Sequence, residues 1–90
     1  MSTVTKKITP GYFEKIVSGK KKFELRLADF DIVEGDTLRL EEWTSVGADR
    51  QPTGRYLEKV VTFVRKVDIH EWTSRQPELE EKGFYVIQFD

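Results

Sequence analysis

The sequence predicts a small α+β domain, a mostly antiparallel β-barrel with one early α-helix packed outside it. Three observations predict it. A short apolar stripe at helical spacing lies near the start, between Pro10 and Gly19. Segments that alternate apolar and polar side chains follow, at the period of strands. A long run from Tyr56 to Val67 then places apolar residues at consecutive positions, as an enclosed strand does. The 90 residues make one domain, 1–90, and a chain this short buries only about two-thirds of its unfolded surface.

Val4 to Ile8 reads as a first strand, and Lys6 and Lys7 mark it as an edge. Thr9-Pro10 reads as a helix start, a hydroxyl cap followed by proline at the first helical position. Ile8 and Phe13 stand where a hydrophobic staple places its two members. Tyr12, Phe13, Ile16 and Val17 make a core-facing stripe for a two-turn helix on a sheet, and Gly19 stops it. Phe23, Leu25 and Leu27 then alternate with Lys22, Glu24 and Arg26, which is the period of a half-buried strand. The charged set shares one face, with Glu24 and Arg26 about 7 Å apart along it.

Leu27 to Val33 is a connection that ends in the turn Glu34-Gly35-Asp36. The next strand is Thr37 to Trp43, with Leu38 and Leu40 on its inner face. Two readings stand at its end. Continued alternation turns Glu42 inward, where a carboxylate needs a partner or an open rim. A bulge instead turns Glu42 out and Trp43 in. Thr44 to Arg55 is a polar loop with Gly47, Pro52 and Gly54, of a length that is usually functional or mobile. In Tyr56 to Val67, Val60, Val61, Phe63 and Val64 point to burial on both faces. His70 to Gly83 is polar, with Glu78 and Lys82 placed to pair across one helical turn. Phe84 to Phe89 is the closing strand.

Composition narrows the function classes. There is no cysteine, hence no disulfide framework and no thiolate metal site. A single histidine, His70, argues against a zinc cluster, so neither a metal nor a cofactor is expected. Fifteen basic residues face sixteen acidic ones, for a net charge of −1, which argues against coating nucleic acid through bulk electrostatics. Lys20, Lys21 and Lys22 still supply a local basic cluster. Met1 to Lys7 carries no apolar run of the signal-peptide kind, and no stretch approaches membrane-spanning length. A soluble, cytoplasmic monomer is the expectation.

Gly19, Lys21, Glu24 and Arg26 fit the pattern GxKxxExR, and on it the chain resembles the ASCH domain of the PUA-like superfamily. It is most similar to short, uncharacterised bacterial and phage ASCH-like proteins. These share the lead-in Ile8-Thr9-Pro10-Gly11-Tyr12-Phe13, the turn Val33-Glu34-Gly35-Asp36, the pair Glu42-Trp43 and an ending like Gly83-Phe84-Tyr85-Val86-Ile87. The resemblance runs from about residue 4 to residue 90. It implies a PUA-like pseudo-barrel with a cleft beside the first helix, lined by the motif's charged side chains, that holds RNA or a nucleotide. Small bacterial ASCH proteins of one group are amidohydrolases that remove the acetyl group from 4-acetylcytidine. Their motif has lysine at the place of Lys21 but threonine at the place of Glu24, and a later helix supplies a glutamate.

These residues support three functions. In a binding module Lys21 and Arg26 engage a phosphate, Glu24 or Glu42 accepts from an exocyclic amine, and Trp43 or Tyr56 stacks on a base. The ligand-binding set is therefore Lys21, Glu24, Arg26, Glu42, Trp43 and Tyr56. The bland counterparts are a surface ion pair of Glu24 with Arg26 or Lys21, and Trp43 and Trp72 spent as buried area. In an amidohydrolase Lys21 and Glu24 are the catalytic pair. Glu24 lacks the hydroxyl of the deacetylase pattern, however, and a carboxylate beside Lys21 gives the ammonium a partner rather than freeing a base. Glu71, Glu78, Glu80 and Glu81 offer no reason to choose a third member. The remaining alternative is a protein-interaction domain with a vestigial cleft, whose mark is an exposed apolar patch elsewhere.

Overall fold

Local signals set the elements of the chain, which is seen in a computed structural model that describes residues 1–45, 48–67 and 83–90. Helix α1 (Pro10–Val17) begins at the proline and buries Phe13 and Ile16, while Tyr12 and Val17 stay exposed. Its stripe is narrower than the sequence suggests. Thr9 takes the extended N-cap conformation, but its hydroxyl makes no capping bond. Pro10 has already removed one of the N–H groups that a cap serves, and the Thr9 carbonyl accepts the Phe13 N–H at 2.9 Å. At the other end Gly19 has φ 81°, donates to the Ile16 carbonyl and lets the Lys21 N–H reach back to Lys15 at 3.0 Å. The chain is thereby reversed within four residues.

Five strands make one mixed sheet: β1 (Thr3–Ile8), β2 (Phe23–Leu27), β3 (Thr37–Trp43), β4 (Pro52–Val67) and β5 (Phe84–Phe89), in the order β1-β3-β4-β5-β2. β1 runs parallel to β3, with α1 in the crossover, and the other three pairings are antiparallel. The helix face bearing Phe13 and Ile16 joins Ile8, Ile32, Leu38, Leu40, Val61, Ile87 and Phe89 in one core.

Among the described residues the sheet does not close into the expected barrel. β1 and β2 are the two edges, and no ladder joins them among the described residues. One side chain spans the gap: Arg26 Nη2 donates to the Lys7 carbonyl at 2.5 Å.

β4 also corrects the sequence reading. It starts at Pro52, a first position where the missing N–H is tolerated, and it is not enclosed on both sides. Val61 is buried, whereas Val60 and Phe63 are exposed, Phe63 by 51%. The run of apolar residues comes from a change of phase. Between Val61 and Phe63 the register with β5 shifts by one residue, at the place where β4 passes from pairing with β3 to pairing with β5. Each half thus turns its own alternate residues inward.

The turn before β3 is as read from the sequence: the Asp36 N–H donates to the Val33 carbonyl at 3.1 Å, and Gly35 has φ 96°. The buried Asp36 carboxylate accepts from the Ser2 N–H at 2.9 Å and the Val33 N–H at 3.0 Å. Those two donors, Ser2 foremost, hold its pKa below the ordinary carboxylate value against the cost of burial. Residues 70–82, including the proposed Glu78–Lys82 pair and His70, Glu71, Trp72, Glu80 and Glu81, lie outside the described residues.

Candidate functional site

The phase of β2 makes the site. Glu24 pairs with the fully buried Ile87, and partners across a ladder share a face, so Glu24 points inward. Its exposure is 3%, while Phe23 and Leu25, expected on the buried side of this half-buried strand, are 47% and 56% exposed. The period read from the sequence is right and the buried face is the opposite one. The Lys22 carbonyl accepts the Phe89 N–H at 3.0 Å, which fixes this register directly after the Gly19 turn.

A buried carboxylate needs compensation, and Glu24 has it twice. Lys21 Nζ lies 2.5 Å from Oε1, and Arg26 Nε lies 2.9 Å from Oε2. The two cations are themselves mostly covered but reach an open cleft of about 880 Å³. Its walls take consecutive residues from both sheet edges, Thr5 to Thr9 of β1 with the residue after it and Phe23 to Arg26 of β2, so the cleft lies in the gap between the edges. Tyr12 comes from α1, and Glu41, Trp43, Ser45 and Arg50 close the end at β3.

Cations sit on the aromatic faces of this cleft. Lys21 lies 4.4 Å from the Tyr12 ring centroid and 5.5 Å from that of Phe23. Lys7 lies 4.1 Å from Trp43, with Arg50 at 5.6 Å. Trp43 Nε1 is buried and finds no acceptor among the described residues. Each of these three rings thus has at least one cation within about 6 Å of its centre.

Of the six residues singled out by sequence, Lys21, Glu24, Arg26 and Trp43 line this cleft. Glu42 and Tyr56 do not. Glu42 does point inward, as continued alternation requires; the irregularity lies on β4, where Thr53-Gly54-Arg55 stands opposite it and Gly54 has φ 90°. Glu42 accepts from Thr53 Oγ1 at 2.7 Å and from Arg55 Nη2 at 3.3 Å, with Arg55 Nε 3.1 Å away in an ion pair. Arg55 also pairs with Glu14 of α1 and lies over the Phe13 ring at 4.4 Å. Its hydrogen bond to Glu14, and then the charge of Glu42, raise the guanidinium pKa above its ordinary value. Tyr56 carries the Arg39 guanidinium at 3.5 Å, and with Arg55 it lines a separate hollow of about 400 Å³.

Sequence reasoning missed Tyr12, Phe23, Lys7 and Arg50 as cleft residues, and Arg55 as the partner of Glu42. The inward carboxylate of Glu42 was the one available signal for Arg55, since it requires a cation nearby. No local signal marks the others, which belong to the cleft only because two distant edges face each other. Among the described residues no group of histidine, cysteine or carboxylate side chains is arranged to hold a metal ion, and no helix is long and apolar enough to cross a membrane.

Known proteins share both the sequence and the fold. An uncharacterised 12.9 kDa protein in the GpA 3′ region of Escherichia phage P2 is 38% identical over 66 residues, which is 73% of this chain and 55% of the phage protein. The chain thus spans about half the length of that relative. The crystal structure of the hypothetical protein PH0355 superimposes with a TM-score of 0.69, covering 100% of this chain and 98% of the other at 19% identity, a likeness of fold alone. The stretch from residue 5 to residue 75, which holds the helix, the Lys21–Glu24–Arg26 cluster and the Glu42–Trp43 pair, matches the model of a domain of unknown function, and the chain belongs to that family, DUF3850.

Proposed function

We propose that the protein is an ASCH-type module, its curled sheet an opened PUA-like barrel, that binds a nucleotide or a short stretch of RNA in the cleft between β1 and β2. What carries the reading is one convergence: Lys21 and Arg26, both with N–H groups unused among the described residues, open onto the same cleft as the rings of Tyr12, Phe23 and Trp43. Phosphate and base ask for that combination, a fixed cation pair beside stacking faces. Titration of isotope-labelled protein with mononucleotides and short RNAs, followed by NMR, tests it. Shifts are expected at Tyr12, Lys21–Arg26 and Trp43, with Glu42 and Tyr56 unmoved; shifts confined to the second group would refute the site.

The amidohydrolase alternative draws little from Glu24, whose oxygens are both engaged by cations. A specific observation favours the protein-interaction reading instead. Phe23, Gln88 and Phe63 are register partners in one row across β2, β5 and β4, and all three are exposed. If no nucleotide or RNA moves the cleft resonances, this row, two phenylalanines flanking Gln88, becomes the leading candidate surface.

A further inference from the structure

We infer that the cleft, taken as the nucleotide site proposed above, selects its ligand by a phosphate group: Lys21 and Arg26 take the anion, and Glu24 positions them without touching it. The inference rests on that reading and assigns the roles within it. The walls carry five basic residues, Lys6, Lys7, Lys21, Arg26 and Arg50, against the acidic Glu24 and Glu41, in a chain whose net charge is −1. The positive surplus is concentrated where the ligand would sit. Neither acid offsets it freely. Glu41 is tied to Arg39 at 3.1 Å, and Glu24 is buried with each oxygen bonded to a different cation.

That geometry decides what Glu24 does. A carboxylate that is only 3% exposed, with a cation on each oxygen, presents little acceptor surface to a base amine, so base reading falls to other groups. It does set two cations side by side, because both are bonded to the same carboxylate. Among the described residues, Lys21 keeps two of its three N–H groups and Arg26 keeps its Nη1 pair. An anion with several oxygens is the ligand that satisfies them together. Such a phosphate comes from a free nucleoside monophosphate or from an RNA phosphodiester. The chemistry at Lys21 and Arg26 is the same in either case.

The test is an NMR titration with cytidine, cytidine 5′-monophosphate, the dinucleotide CpC and inorganic phosphate, at low and raised salt. The monophosphate or the dinucleotide should bind at least about tenfold more tightly than cytidine, as one or two charge-assisted contacts require. The preference should shrink as salt is added. The better of the two tells free nucleotide from RNA. Glu24→Gln should draw the monophosphate affinity towards that of cytidine while leaving cytidine unchanged; a merely structural role would weaken both alike. Should that variant fail to fold, Lys21→Ala, which removes a cleft cation and no buried acid, must narrow the same ratio. Arg26→Lys should retain part of it. Cleft shifts with equal affinity for cytidine and its monophosphate would overturn phosphate selection and leave the nucleotide reading standing. Absence of cleft shifts with all four ligands would overturn both.

Discussion

Two buried carboxylates, Glu24 on β2 and Glu42 on β3, meet the same physical problem and end in opposite roles. Both point inward, and both are gripped by arginine. The difference is stoichiometry. Glu24 has two cations to itself, so its cluster carries a surplus positive charge with donors to spare at the mouth of a cleft. At Glu42 the numbers are reversed: one cation, Arg55, serves two acids, Glu42 and Glu14, and Thr53 adds a hydroxyl. That cluster carries a net negative charge, which disfavours an anion, and it ties α1 to the hairpin of β3 and β4. A carboxylate on the inner face of a strand therefore does not mark a site by itself; the balance of partners around it decides.

The comparison breaks most directly at Glu24. Glu24→Ala would leave two neighbouring cations without their shared anion, and we expect a loss of about 2–3 kcal/mol of stability, the lower part of the range for breaking a buried pair because Lys21 and Arg26 keep some solvent. The thermal midpoint should fall by about 8 °C or more. Cleft binding should go with it. An unfolding midpoint within about 2 °C of the parent would show that Glu24 is not structurally compensated as described.

Glu42→Ala should cost about 2 kcal/mol, since Arg55 can turn to Glu14 and to solvent. The decisive readout is a null one at the cleft. Nucleotide titration of the folded variant should give the parental shifts, and a loss of binding without unfolding would erase the distinction between the clusters.

A third carboxylate sharpens the contrast because it bonds main chain rather than cations. The pKa of Asp36 is lowered in the folded protein, so its contribution to stability is fully present above the ordinary carboxylate range. It fades as pH falls through that range to the lower folded value, because the unfolded chain takes up the proton first. Asp36→Asn should destabilise the protein at neutral pH and flatten the acid limb of the stability curve. An unchanged acid limb in urea unfolding followed from pH 7 to pH 2 would refute the assignment.

The smallest expected effect belongs to Thr53→Val, which removes at an exposed position the hydroxyl that donates to Glu42 and accepts from the Arg55 N–H. About 0.5–1 kcal/mol should appear as a lower urea midpoint at constant slope. A cost above that of Glu42→Ala would mean that Thr53, not Arg55, is the principal partner.

Much of the fold was legible where the signal is local. Pro10 and Gly19 bracket the helix because one residue lacks an N–H and the other tolerates φ 81°. Gly35 and Asp36 announce their turn by the same kind of argument. Leu38, Leu40 and Glu42 alternate as written, since strand period is a property of the backbone itself. The charged motif was legible as a unit too, with Glu24 and Arg26 on one face of one strand.

What the chain by itself determined, then, is the order of its elements, the period of each and which residues share a face. The tertiary structure decided which face is buried, which strand is whose neighbour and where the edges meet. β2 shows the reason. Its period follows from local stereochemistry, but its phase depends on the Lys22–Phe89 bond and the pairing of Glu24 with Ile87, contacts made across more than sixty residues of chain. The same holds for β4, whose apolar run reads as two-sided burial until the register shift at Val61–Phe63 reveals two one-sided halves. The cleft is the extreme case: it exists because β1 and β2, drawn to opposite ends of one sheet by their partners, face each other across a gap that no local pattern encodes.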